Sequence, residues 1–200
     1  MKLILASKSP RRKEILENLN VPFTILTADA DESCSLTDPH AFVREVSARK
    51  ALAVKEALAQ NGDDLSDRIL LSCDTVVACE GQILGKPRGR DDAYHMIASL
   101  SGKRHSVISG ITLMHGDQAV SDWEETFVYM DPIDGKTIDA YVLSDEPYDK
   151  AGGYAIQGTA SLWISGIEGC YFNVVGLPVH KLQQMLQAHF SLSLADFLSE

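Results

Sequence analysis

The stretch Ile69 to Cys79 (ILLSCDTVVAC) is the most apolar run in this chain of 200 residues, and it constrains the fold more than any other. It has strand length, and its second half is β-branched, so it predicts a central strand covered on both faces. A sheet that needs such cover needs helices beside it. Asp74 and Thr75 interrupt the run. A carboxylate there is costly unless it is paired, bound to a metal, or placed at the strand's mouth in a cleft. Asp74 is therefore a candidate functional residue, weighed against a structural hydrogen-bonded aspartate.

The first twenty residues carry a second signal. Leu3, Ile4 and Leu5 form a short apolar strand, and Ala6-Ser7-Lys8-Ser9 is a small-residue turn ahead of Pro10, which presets φ for a first helical position. The helix is expected to start at Ser9 or Pro10, with Ser9 as N-cap and Ile15, Leu16 and Leu19 facing a sheet. Arg11, Arg12 and Lys13 fall in its first turn, where the helix dipole favours acidic residues instead. Cations placed against that rule suit an anion held jointly by free N–H groups and guanidinium forks. A solvated basic helix start is the other reading.

Composition narrows the partners. With 18 Lys+Arg against 28 Asp+Glu the formal charge is −10, which argues against nucleic acid and anionic membranes, so a polyanionic ligand needs a local basic pocket. No apolar run reaches the roughly 18 residues of a membrane span, and no signal-peptide pattern opens the chain, so a cytoplasmic protein is expected. Cys34, Cys73, Cys79 and Cys170 form neither a CxxC pair nor a zinc spacing and are expected to be reduced.

Further along, Phe23 to Ala28 reads as a second strand beside the first, followed by an acidic loop. Asp29, Asp31 and Glu32 there suit a divalent cation or simply a solvated loop. Asp38-Pro39 opens a long helix to about Gln60. Its apolar stripe of Val43, Val46, Val54 and Ala57 includes Lys50, which either snorkels or is aimed into an anion pocket. Ile83-Leu84 is a short return strand, and Gly85-Lys86-Pro87 fixes a further lysine. Asp91 to Leu100 is an amphipathic helix; Ser106 to Met114 and Val120 to Met130 make a hairpin; Asp134 caps a helix over Gly135 to Leu143. His105 reads as a satisfied structural histidine. In Asp149 to Gly158, paired glycines suit a close backbone approach to a ligand, and the Gln157 amide can read a base edge; a plain strand-turn is the alternative. Ala160 to Ile167 and Tyr171 to Val175 read as strands, and Pro178 opens a last helix to about Phe190.

These elements predict one α/β domain over residues 1–200, with a mixed, twisted and elongated sheet flanked by helices. Neither GxGxxG nor GxxxxGK[ST] occurs, so phosphate would be held otherwise. The segments LILASKSPRRKEIL, Asp31-Glu32, Ala48 to Ala51, Asp74 to Val77, Gly85 to Pro87, Leu100 to Gly102, EPYDKAGGYAIQG from Glu146, and NVVGLP from Asn173 follow one another in an order that resembles the Maf family. That family consists of nucleoside triphosphate pyrophosphatases once described as septum-formation inhibitors. The resemblance covers nearly the whole chain.

It implies a Maf fold similar to that of inosine triphosphatases, a divalent metal (Mg²⁺ or Mn²⁺), and hydrolysis of a nucleoside triphosphate to monophosphate and pyrophosphate. It also suggests a homodimer. On the family's pocket positions fall Ser7, Arg11, Arg12, Glu32, Lys50, Asp74, Lys86 and Lys150, with Asp74 as proton acceptor and Glu32 with Asp74 toward metal. Arg11, Thr75 and Gln157 fall on its specificity positions, and Thr75 with the IQG sequence is similar to the branch acting on dTTP and UTP. The alternatives are a 7-methyl-GTP-type pyrophosphatase and a nucleotide-binding regulator of cell division without turnover.

Overall fold

A computed structural model describes residues 1–198 of the chain. The last two residues of the tail, where the sequence carries no expectation, lie outside it. The chain forms a seven-stranded sheet of β1 (Lys2–Leu5), β2 (Phe23–Ile25), β3 (Arg68–Cys79), β4 (Gln82–Leu84), β5 (Arg104–His115), β6 (Gln118–Met130) and β7 (Ile164–Glu168), in the order β2-β1-β3-β5-β6-β7 with β4 paired to β3 off that path. Its contacts divide it into two compact units. The first holds Met1–Asp74, Ser109–Glu124 and the chain from Gly176 onward; the second holds Thr75–Ile108 and Glu125–Val175. Three strands run from one unit into the other: β3 (Arg68–Cys79), β5 (Arg104–His115) and β6 (Gln118–Met130).

In the first unit, β1 (Lys2–Leu5) lies parallel to both β2 (Phe23–Ile25) and β3, so that Leu5 stands between Ile25 and Leu71. Leu3, Ile4 and Leu5 of β1 and Ile69, Leu70 and Leu71 of β3 are all buried. Each such side chain contributes about 2 kcal/mol of hydrophobic stabilisation, which explains why this continuous apolar pattern becomes the sheet's centre. β2 is shorter than the expected Phe23 to Ala28. Its partner β1 ends at Leu5, whose carbonyl takes the Leu26 N–H at 3.2 Å, while Ala6 turns to donate to Leu71 O instead. Beyond Leu26 no partner strand remains among the described residues. Helix α1 (Pro10–Asn18) buries Ile15 and Leu16 as its pattern demands.

Helix α2 (Pro39–Gln60) begins where expected, with the Asp38 carboxylate accepting the Ala41 N–H at 2.9 Å. Val43, Val46 and Val54 face inward. At Gly110 of β5 a Cβ would fall 2.2 Å from Val43 O, so glycine there lets helix backbone lie directly on the strand. Beneath the next turn runs a hydroxyl chain: Ser47 Oγ lies 2.9 Å from Thr112 Oγ1, which lies 2.8 Å from Ser121 Oγ. Together these fix α2 in depth and register. The unit closes with α6 (Val179–Phe190), following Pro178 as expected.

The second unit has its own core of Val77, Ile97, Leu100, Val107, Val128, Ile138, Tyr141, Tyr154 and neighbours. β4 (Gln82–Leu84) returns antiparallel along β3, and α3 (Arg90–Leu100), α4 (Gly135–Tyr141, capped by Asp134) and β7 (Ile164–Glu168) follow. Two expectations fail here. Tyr171 to Val175 is not a strand but a one-turn helix, α5. Its Asn173 is fully buried and donates to Val107 O at 2.9 Å and to Thr126 Oγ1 at 3.0 Å. Long-range hydrogen bonds thus override a β-favouring composition. The segment from Ala160 is a 3₁₀ turn (Thr159–Trp163) before β7 begins at Ile164.

Candidate active site

In the first unit, the turn after β1 places Ser7 against the start of α1. Arg12, only 9% exposed, donates through Nε to Gly176 O at 2.7 Å and through Nη1 to Ser7 Oγ at 3.0 Å. Ser9 stands at the N-cap as expected but makes no capping bond with its own side chain, and Ser7 Oγ accepts its N–H at 3.2 Å. The cations of this helix start divide. Arg12 is turned inward and joins α1 to the NVVGLP segment, Arg11 is half-buried, and Lys13 pairs with Glu17 on the exposed face.

Lys50 does not snorkel. Its ammonium lies 2.8 Å from Asp74 Oδ1 and 2.9 Å from Glu32 Oε2, bridging two carboxylates. The Lys50 and Asp74 side chains are 19% and 13% exposed, whereas Glu32 is 62% exposed. The Asp74 carboxylate in the apolar strand is therefore a paired charge. Of the acidic loop, only Glu32 takes part. Asp31 is turned back on Ser33, accepting its hydroxyl and its backbone N–H, and these bonds hold the Asp31 carboxyl below its ordinary pKa.

In the second unit, Thr75 follows Asp74 on β3 and is half-buried, Lys86 is exposed, and Gln157 is exposed on the Ala155 to Gly158 turn. Lys150 is mostly buried, and its ammonium donates to the Asp149 carboxylate and to Glu146 O. The Gly152-Gly153 pair, expected to let backbone approach a ligand, serves packing. Both have positive φ, and a Cβ on Gly152 would fall 2.8 Å from Val77 Cγ2. Gly152 N–H donates to Gly85 O at 2.9 Å, so the turns carrying Lys150 and Lys86 are joined through their backbones.

Sequence reasoning passed over two features here. Glu146 is one; its carboxylate accepts the Thr159 N–H at 3.0 Å, the Ala160 N–H at 3.4 Å and the Tyr141 hydroxyl at 3.2 Å. Burial raises its pKa, but the Thr159, Ala160 and Tyr141 bonds outweigh burial and hold it below the ordinary value. Its place at the head of EPYDKAGGYAIQG, four residues before Lys150, was the available signal. The other is the buried Tyr154 hydroxyl, which lies 2.5 Å from Nε2 of His105, the histidine expected to be structurally satisfied. Desolvation lowers the His105 pKa to about 4 and pushes the Tyr154 hydroxyl up.

The family model described as Maf-like protein matches residues 2–189. The chain belongs to the Maf family. A protein named dTTP/UTP pyrophosphatase from a Thermoanaerobacter species is 41% identical over 196 residues, 97% of this chain and 100% of its own length. The protein of that name from Caldanaerobacter subterraneus is 42% identical over 194 residues, covering 96% of this chain and 91% of its own. That from Thermosipho africanus is 41% identical over 186 residues, covering 93% and 92%. Among the described residues of this Maf chain, no group of three or more His, Cys, Asp or Glu could hold a metal, and no helix is long and apolar enough to cross a membrane. Its four cysteines are free thiols.

Proposed function

We propose that this Maf protein hydrolyses nucleoside triphosphates to the monophosphate and pyrophosphate, with dTTP and UTP preferred. The observation that carries the reading is the Lys50 ammonium bridging Asp74 and Glu32, which puts a carboxylate and a cation together at the end of an apolar strand half. Triphosphate binding alone requires cations; an inward carboxylate belongs to turnover. The three relatives named dTTP/UTP pyrophosphatase support the reaction and the bases.

In this reading Asp74 takes the proton of a water whose oxygen bonds the α-phosphorus, while the bond to the α-β bridging oxygen breaks and pyrophosphate leaves. Arg11, Lys50, Lys86 and Lys150 offset the phosphate charge, and Arg12 with Ser7 holds the turn that presents Arg11. Glu32 and Asp74 are the residues to hold a divalent metal. Two carboxylates already brought onto one cation, the Lys50 ammonium, would suit a hard divalent metal such as Mg²⁺ or Mn²⁺. When bound, the metal supplies charge neutralisation and polarisation of the phosphate.

Base choice falls to Gln157, with Arg11 and Thr75. A primary amide offers one acceptor and one donor to the alternating edge that uracil and thymine share, and a cytosine edge, reversed at N3 and N4, leaves those groups mismatched when the amide keeps the same rotamer. The test is pyrophosphate release from a panel of nucleoside triphosphates, including CTP, GTP and 7-methyl-GTP, with Mg²⁺ or Mn²⁺. Release fastest from UTP and dTTP is expected. No release from any would leave a nucleotide-binding module, and preference for 7-methyl-GTP would reassign the branch.

A further inference from the structure

We propose that Glu146 is the positioning residue for base selection, acting through the turn that carries Gln157; the inference rests on the role given to Gln157 above. Three observations within the second unit converge on it. First, the Glu146 carboxylate takes the backbone N–H groups of Thr159 and Ala160, which follow Gln157-Gly158 directly. With about 3.8 Å between successive Cα atoms, anchoring Thr159 leaves Gln157 only two residues of slack. Second, Gly158 has φ −106, a conformation open to any residue, so backbone strain does not explain a glycine there. Space does: a Cβ would fall 2.1 Å from Glu146 Oε1. The glycine of IQG is present because the carboxylate occupies its side-chain position.

Third, the same residue's carbonyl accepts the Lys150 ammonium. One residue therefore ties the phosphate-binding lysine to the segment that reads the base. Tyr141 completes the clasp, its hydroxyl reaching both Glu146 Oε1 and Gly153 O while its ring packs edge-on against Trp163 at 5.2 Å. A clasp of this kind sets where the Gln157 amide stands when a base arrives. It touches no substrate itself.

The experiment compares wild type with Glu146→Gln, which keeps the size but replaces one accepting oxygen by an NH₂ group unable to accept from a backbone N–H. Expected is a loss of about tenfold in kcat/KM for UTP and dTTP, carried by KM, with CTP and GTP changed less than about twofold, the pattern of lost discrimination. Hydrogen exchange at the Thr159 and Ala160 amides should accelerate in parallel. Should Glu146→Gln fail to fold, Tyr141→Phe decides: it retains the ring against Trp163 and should move selectivity and exchange in the same direction by a smaller factor. Selectivity that survives faster exchange, or equal losses on all four nucleotides, would overturn the clasp. A wild type indifferent to the base would instead remove the role of Gln157, and this inference with it.

Discussion

Replacing Lys50 by methionine separates the two readings of a lysine on an apolar helix face, and the geometry sets the size of the effect. The substitution keeps length and apolar contact on the α2 face but leaves Asp74, 13% exposed, without the ammonium 2.8 Å away. Removing one partner of a buried pair costs roughly 3–5 kcal/mol, and the residual exposure here reduces that to about 2–3 kcal/mol. For a domain of this size such a loss lowers Tm by about 5–10 °C. Asp74→Asn in the same background removes the stranded charge. The double variant should recover part of the loss, giving a coupling energy of about 1.5–3 kcal/mol in a double-mutant cycle. The same cycle with Glu32→Gln should couple below about 1 kcal/mol, because Glu32 is 62% exposed. Urea unfolding followed by circular dichroism measures wild type and all five variants, and kcat/KM for UTP should fall at least about tenfold in Lys50→Met, the worth of one charge-assisted bond. If Lys50→Met lies within about 0.5 kcal/mol of wild type, a surface-like value, and the cycle is additive, Lys50 is not the partner of Asp74 in solution.

Asp74→Asn alone should fold normally, since its amide oxygen still accepts from Lys50, and lose at least about a hundredfold in kcat, the scale of one general base; near-normal turnover refutes the assignment. Gln157→Glu removes the amide donor and adds charge, so it should depress kcat/KM for UTP and dTTP far more than for CTP; an unchanged profile rules out Gln157 as the reader. His105 links stability to pH: its folded pKa of about 4 lies below the ordinary 6.5, so the unfolded chain binds the extra proton between them. Its contribution, about 3 kcal/mol, is complete above roughly pH 6.5 and is lost as pH falls toward 4, and that slope should vanish in His105→Gln.

Short-range chemistry made much of this fold legible. Pro10 and Asp38-Pro39 announce two helices because a fixed φ and a capping carboxylate act within four residues. The apolar run of β3 announces a covered central strand because hydrophobic burial scales with the side chains themselves. Order and spacing of motifs pointed to the family, which the match over residues 2–189 bears out. Where the deciding partner lies far along the chain, the sequence could only leave alternatives. Whether Lys50 snorkels depends on Asp74, 24 residues away, and Arg12 is directed inward by Gly176, 164 residues away. Tyr171 to Val175 has strand-forming side chains, yet becomes a helical turn because Asn173 reaches Val107 and Thr126. Gly158 reads as a turn glycine until the Glu146 carboxylate is found where its side chain would be. Caps, periodicities and turns follow from neighbours in sequence, whereas pairing of charges and polar groups follows from neighbours in space, and only tertiary structure names those.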